Sequence, residues 1–274
     1  MIGGVVVTGA SSGIGAAIVR ALRARGFTVI GTVRRDDDKA ALEANDVLPV
    51  IMDVTDVSSI ARAMRIVDQL LSGTPLVGLV NNAGIAGAGP LELVPLDDVR
   101  RVLEVNVLGV IAVTQAFLPR LKRGHGRVIN ISSISGRIAF PFIGPYVASK
   151  FALEGLSDSW RRELLPFGVD VVVVEPGSVR TPIWDKVAAL DIAAVRGTAY
   201  ERVLEDFRDA AVRGGKRGLP PTRVADAVVS ALTLARPPAR IPVVRSRTRT
   251  IVTRLLPDRW LDRIVARRLW RRAQ

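Results

Sequence analysis

The stretch Val5-Val6-Val7-Thr8-Gly9-Ala10-Ser11-Ser12-Gly13-Ile14-Gly15, close to the start of the chain, decides how the rest is read. Three consecutive valines suit a strand covered on both faces. The glycines at 9, 13 and 15 let the backbone turn sharply, and a helical pattern over Gly13–Arg25 ends at Gly26. A strand, a glycine turn and a helix in succession present backbone N–H groups and the positive end of a helix to an anion. Gly9, Ser11, Ser12, Gly13, Ile14 and Gly15 therefore form a candidate pyrophosphate cradle. The spacing is G-x-x-x-G-x-G rather than G-x-G-x-x-G. Taken alone, it leaves an ordinary strand-to-helix connection open.

The pattern repeats outward from this turn. Phe27–Val33, Val47–Met52, Val77–Val80, Gly126–Ile131 and Val169–Val174 are short Val/Ile-rich runs, and Arg240–Val244 offers a seventh strand. Helical spacing fills Val57–Leu71, Leu96–Leu121 and Tyr146–Leu165 between them. This alternation predicts an α/β fold, a doubly wound parallel sheet of Rossmann type in a single domain over residues 1–245. The segment 182–218 breaks the rhythm, mixing Ile183, Trp184, Tyr200 and Phe207 with charges. It reads either as a helical lid or as an excursion packed on the rim.

Composition narrows the chemistry. Apolar residues make up 49% of the 274, which excludes a disordered chain. There is no cysteine and one histidine, His125, so thiolate chemistry is excluded and no zinc-type metal site is expected. The opening Met1-Ile2-Gly3-Gly4 has no basic region before its apolar run, and no run approaches the roughly 20 apolar residues of a membrane span. The expectation is a cytoplasmic protein.

The formal charge of +13 is uneven: twelve arginines face two aspartates from Arg236 onward. Over residues 246–274, Ile251, Val252, Leu255, Trp260, Ile264 and Leu269 recur at helical spacing among Arg254, Arg259, Arg263 and Arg267. That is a basic amphipathic C-terminal helix. It suits peripheral contact with a membrane, or packing on the protein or a second subunit. Nothing else in the chain supports nucleic-acid binding.

Two further features carry chemistry. Val33 stands where an acid binding a ribose hydroxyl would favour NAD, and Arg34 and Arg35 follow. Their guanidiniums suit a 2′-phosphate, although a solvated pair opposite Asp36-Asp37-Asp38 is the alternative. Tyr146 and Lys150 stand four apart on a helix and so share a face. An ammonium beside a phenol lowers its ordinary pKa of about 10 and makes it a usable acid or base. Asn81-Asn82-Ala83-Gly84, Asn130-Ile131-Ser132-Ser133 and Pro176-Gly177 close strands that end on one edge of a parallel sheet, where ligands bind.

Together these motifs resemble the short-chain dehydrogenase/reductase family. The resemblance rests on T-G-x-x-x-G-x-G at Thr8–Gly15, N-N-A-G at Asn81–Gly84, a serine upstream of Y-x-x-x-K at Tyr146–Lys150, and P-G after the sixth strand. It implies that Tyr146 is the general acid/base, that Lys150 depresses its pKa and holds the nicotinamide ribose, and that Ser133 binds the substrate oxygen. Asn106 would anchor a water leading towards Lys150. Asn82, Ala83 and Gly84 would line the adenosine and ribose path, Asp53 and Val54 would meet the adenine, and Pro176, Gly177, Val179 and Thr181 would border the nicotinamide. The implied activity is hydride transfer between NADP(H), with NAD(H) as the alternative, and an alcohol, ketone or aldehyde. The tail resembles that of members acting on lipophilic substrates, and the family's dimer faces imply a homo-oligomer. The competing readings are a nucleotide-sensing binding module, or a membrane-peripheral protein with little turnover.

Overall fold

The computed structural model describes residues 2–189 and 192–270; residues 1, 190–191 of the 182–218 segment and 271–274 of the tail lie outside the described residues. Among the described residues there are seven strands: β1 (Gly4–Val7), β2 (Thr28–Val33), β3 (Leu48–Ile51), β4 (Leu76–Asn81), β5 (Arg127–Ile131), β6 (Asp170–Pro176) and β7 (Arg240–Val243). They form one sheet in the order β3-β2-β1-β4-β5-β6-β7, and every neighbouring pair is parallel. From β1 the chain fills one side of the sheet, then crosses to β4 and fills the other. The crossing leaves a crevice at the carboxyl ends of β1 and β4.

The helices are α1 (Gly13–Ala24), α2 (Lys39–Glu43), α3 (Val57–Leu71), α4 (Leu96–Leu103), α5 (Gly109–Arg123), α6 (Gly144–Glu163), α7 (Ile183–Ala188), α8 (Glu201–Lys216), α9 (Thr222–Thr233), α10 (Arg247–Leu255) and α11 (Asp258–Trp270). Alternation along each strand divides the core between two faces. Val5 and Val7 of β1 join Ile18, Leu22, Val224 and Val228 of α1 and α9. Val6 joins Ile60, Val67, Val113 and Phe117 of α3 and α5 on the opposite side. This two-sided burial is why the strands read as unbroken apolar runs.

The structure departs from the sequence reading in three places. The helix expected over 96–121 contains a π-helical turn at Glu104–Leu108, between α4 and α5, with Asn106 at its centre. The rod Leu96–Arg123 is also apolar enough, by length and composition, to cross a membrane. Its Val110, Val113, Thr114 and Phe117 are buried, with Val113 and Phe117 in the core shared with the sheet. The basic tail forms two helices rather than one. Pro257 lacks an N–H and holds Leu256 in extended backbone (ψ 135°), which ends α10.

The described residues of the 182–218 segment include α7, a 3-10 turn at Ala193–Val195 and α8. Trp184 of α7 donates from Nε1 to the Val179 carbonyl at 2.6 Å, and its ring lies against Gly215 of α8. A Cβ at Gly215 would stand 2.2 Å from the indole, so this packing requires glycine. Val195, Val203 and Leu204 bury with Phe142, and Leu269 of α11 rests on the same cluster.

Candidate active site

The turn after β1 is built by mutual fit. Gly9 has φ +64°, and a Cβ there would stand 2.9 Å from Ala83 Cα. A Cβ on Gly15 would lie 2.1 Å from the Gly9 carbonyl oxygen. Thr8 Oγ1 accepts the backbone N–H groups of Asn82 and Ala83 at 3.0 and 2.9 Å. The Asn82 amide in turn donates to the Thr8 and Gly9 carbonyls, each at 2.9 Å. The ends of β1 and β4 are thereby laced together with the glycine backbone facing outward.

That backbone borders a cleft of about 860 Å³, within the range of small-molecule sites. The sequence-expected Gly9, Ser11, Ser12, Gly13, Ile14 and Gly15 line one end. Arg34, Arg35, Asp53 and Val54 line another part, and Asn82, Ala83, Gly84 and Thr181 border the middle. Thr181 overhangs the turn: a Cβ on Gly13 would come within 3.2 Å of its Cγ2. Asp53 Oδ1 accepts the Thr55 amide at 2.9 Å, and this bond is the main reason its carboxyl is held below the usual range, with the nearby Arg34 charge adding to the effect. Arg35 reaches Asp38 at 3.5 Å. A cleft of this size with glycine-only approach to a helix N-terminus fits a dinucleotide.

Behind the cleft, β4, β5, α5 and α6 are joined by buried polar side chains. Asn81 and Asn130 are register partners. The Asn81 amide donates to Asn130 Oδ1 at 2.9 Å and to Thr114 Oγ1 at 3.0 Å, and the Asn130 amide donates to Ser157 Oγ at 2.9 Å. Each bond satisfies a group that would be costly to bury alone. Motif matching named Asn81 and Asn130 only as neighbours of the site; what they do is fix α6 on the sheet.

Asn106 is fully buried and its side chain is committed. Oδ1 accepts the Ile85 amide at 2.9 Å, and Nδ2 donates to the Ile85 carbonyl at 2.9 Å and to Ser149 Oγ at 3.0 Å. Ser149, which the sequence reading missed, donates onward to the Tyr146 carbonyl at 2.7 Å.

Ser133, Tyr146 and Lys150 meet at the end of β5. The Ser133 hydroxyl accepts the Ser135 amide at 3.1 Å and lies 3.5 Å from the Pro176 carbonyl. Lys150 Nζ sits 5.6 Å from the centroid of the Tyr146 ring and donates to the Ile131 carbonyl at 2.9 Å. Burial pushes the phenol above its ordinary pKa, and the nearby Ser133 hydroxyl opposes this. The lysine was expected to depress that value; the shift runs the other way, because desolvation is its largest cause. Lys150 itself is lowered by burial to about 8, with Glu154 acting the other way.

Five expected cofactor contacts do not line the cleft: Tyr146 and Lys150, which stand behind it on α6, and Pro176, Gly177 and Val179. Val179 is buried in the core beside α9, and Pro176 and Gly177 lie beside Ser133 and β7, outside the cleft wall. The wall includes Ile85, Val105, Pro182 and Ile183, which the motifs did not single out. Ile85 directly follows N-N-A-G, a signal the spacing could have supplied.

Comparison with known proteins agrees with this geometry. The family model for short chain dehydrogenase matches residues 4–190. The NADPH-dependent 3-dehydrocapnine reductase of Ornithobacterium rhinotracheale is 37% identical over 268 residues, 94% of each chain. Retinol dehydrogenase 5 of Mus musculus is 43% identical over 183 residues, 65% of this chain and 57% of its own length. A short chain dehydrogenase from Burkholderia cenocepacia, solved in complex with NADP, superposes with TM-score 0.73 at 28% identity and 97% coverage of both chains. The chain belongs to the short-chain dehydrogenase/reductase family and is an NAD(P)-dependent oxidoreductase.

Proposed function

We propose that the protein transfers hydride between NADP(H), in preference to NAD(H), and an apolar alcohol or carbonyl compound, with Tyr146 as general acid/base. The observation that carries this reading is the placement of Tyr146 and Lys150 one turn apart on α6, with the buried Lys150 Nζ 5.6 Å from the Tyr146 ring centroid and donating to Ile131 at the carboxyl end of β5, next to Ser133. The bound cofactor supplies the hydride donor or acceptor. Ser133 holds the substrate oxygen, and Tyr146 gives it a proton or takes one from it. The Lys150 ammonium favours the phenolate and grips the nicotinamide ribose. The Asn106 side chain is bonded to Ile85 and Ser149, and we assign to Asn106 the anchoring of a relay water towards Lys150. Gly9 to Gly15 receive the pyrophosphate, and Asp53 and Val54 meet the adenine.

Arg34 and Arg35 on the cleft wall support a 2′-phosphate, as does the NADPH dependence of the Ornithobacterium relative. Arg35 shares its charge with Asp38, so Arg34 is assigned the main contact. An apolar substrate is supported by the cluster of Phe142, Val195, Val203 and Leu204 under the 182–218 segment, which we assign as the lid. Tyr146→Phe tests the core of the proposal: cofactor affinity is kept, and turnover falls by about 10²-fold or more. Turnover at the wild-type rate would refute the assignment.

Two surfaces complete the proposal. Ile251, Val252, Leu255, Trp260 and Ile264 are exposed among the tail arginines, a pattern suited to anionic lipid. Sedimentation with anionic but not zwitterionic vesicles, lost in a Leu255→Glu/Trp260→Glu variant, tests it. Leu108 and Phe151 are exposed on the α4–α6 side, where we place a homo-oligomer contact; Phe151→Glu is expected to lower the mass seen by light scattering.

A further inference from the structure

A second group of charges lies one turn beyond Lys150 on α6, and the proposed chemistry does not use it. Glu154 follows Lys150 by one turn of α6 and is 4% exposed; Glu175, on β6, is wholly buried. Arg240 of β7 donates from Nε to Glu154 Oε2 at 2.9 Å, contacts Asp158 Oδ1 through Nη2 at 3.0 Å and lies 3.6 Å from Glu175 Oε1. Arg254 of α10 donates from Nη2 to Glu175 Oε2 at 2.9 Å. Two buried carboxylates side by side repel each other, and leaving either unpaired is costly. The two arginines divide that load, one inside the sheet and one from the C-terminal segment.

The Lys150 ammonium is moored at the end of β5, where it donates to the Ile131 carbonyl. Burial raises the Glu154 carboxyl above its ordinary range, the Glu175 charge adds to this, and Arg240 opposes it. The groups around Lys150 are Tyr146 and Glu154 on α6, the neutral Ser132 and Ser133 after β5, the neutral Asn106 at the π-helical turn, and Glu175 on β6. Asp158 on α6, Arg240 on β7 and Arg254 on α10 lie beyond these. The ammonium itself donates to a carbonyl rather than to a carboxylate, so its charge depends on fields from the next shell of groups.

We propose that Glu154 is a positioning residue for the Tyr146–Lys150 pair: held as a carboxylate by Arg240 and, through Glu175, by Arg254, it is the counter-charge that keeps Lys150 an ammonium. This rests on the reading that the lysine charge serves Tyr146. It makes α10 part of the active-site electrostatics. Loss of Arg254 leaves Glu175 to draw Arg240 towards itself, so Glu154 protonates more readily and its support for Lys150 weakens. Glu154 already works against the effect of burial on the lysine.

The test uses the full chain, labelled with ¹³C,¹⁵N-lysine. There are five lysines, and the Lys150 side-chain signal is identified by its loss in Lys150→Met. Its titration is followed through the neutral and alkaline range, without substrate or cofactor. Glu154→Gln is expected to lower the midpoint by about one pH unit, Arg254→Gln by less, and Glu154→Asp to restore most of it. The alkaline limb of kcat/KM should move down in step. An unmoved midpoint in Glu154→Gln overturns the proposal, as do equal shifts in Glu154→Asp and Glu154→Gln, which a merely structural role would give. If Glu154→Gln does not fold, Arg254→Gln decides alone, and an unmoved midpoint there overturns it. Because no turnover is needed, failure here is distinguishable from failure of the Tyr146 assignment.

Discussion

Lys150 should make the fold less stable at neutral pH than at alkaline pH, by an amount the structure allows to be worked out. Its side chain is buried, and burial lowers its ammonium from the ordinary 10.5 to about 8. Between those two values the unfolded chain still holds a proton that the folded chain has shed, so stability rises with pH across that window. Below about pH 8 both states are protonated and the full penalty is present. At about 1.4 kcal/mol per pH unit, the lysine costs roughly 3 kcal/mol at pH 7, and most of this is relieved by pH 10.5. Lys150→Met removes the titrating group with little change of shape. Urea unfolding of both proteins across this range, followed by circular dichroism, isolates the effect from every other titration. The difference in unfolding free energy between the two should change by about 3 kcal/mol from pH 7 to pH 10.5. Parallel curves would refute the reasoning.

Three other outcomes are expected. Arg34→Ala should weaken NADPH binding roughly 10- to 100-fold, the loss of one charge-assisted bond to a phosphate, and leave NADH binding unchanged in a fluorescence titration; equal losses for both would remove its assigned role. Gly15→Ala places a methyl 2.1 Å from the Gly9 carbonyl, so the turn must open, and calorimetry should show at least about a tenfold loss of dinucleotide affinity. Asn81→Ala strips the donor from Asn130 Oδ1 and Thr114 Oγ1 and should cost roughly 2–4 kcal/mol in urea unfolding; a cost under about 0.5 kcal/mol would show that the buried ladder does not hold α6 in place.

The sheet was legible because both of its faces are covered: Val5 to Val7 had no exposed side to interrupt the apolar run. The glycine turn was legible because only glycine tolerates the approach of Ala83 and of its own carbonyl at those points. Contacts made across long stretches of sequence were not. Arg240 read only as the start of a seventh strand and Arg254 only as a basic position of the C-terminal helix, yet they meet Glu154 and Glu175, residues some 80 positions earlier. Local spacing carries no trace of such pairs. The direction of the Tyr146 shift was missed for a similar reason, since desolvation depends on the surrounding volume rather than on the residue four places along the helix. The break at Pro257 was legible in principle, because a proline inside an amphipathic pattern argues for two helices.

The π-helical turn at Glu104–Leu108 acts as a phase shift between two threads of one screw. Removing a single residue there would let the helix run on regularly and rotate everything beyond it by about 100°. Val110, Val113 and Phe117 would swing off the sheet, while Asn106 would leave Ile85. The length of this stretch is therefore set twice, once by the seating of α5 and once by the aim of Asn106. A one-residue deletion in this stretch should be tolerated far less than a substitution at any exposed position within it.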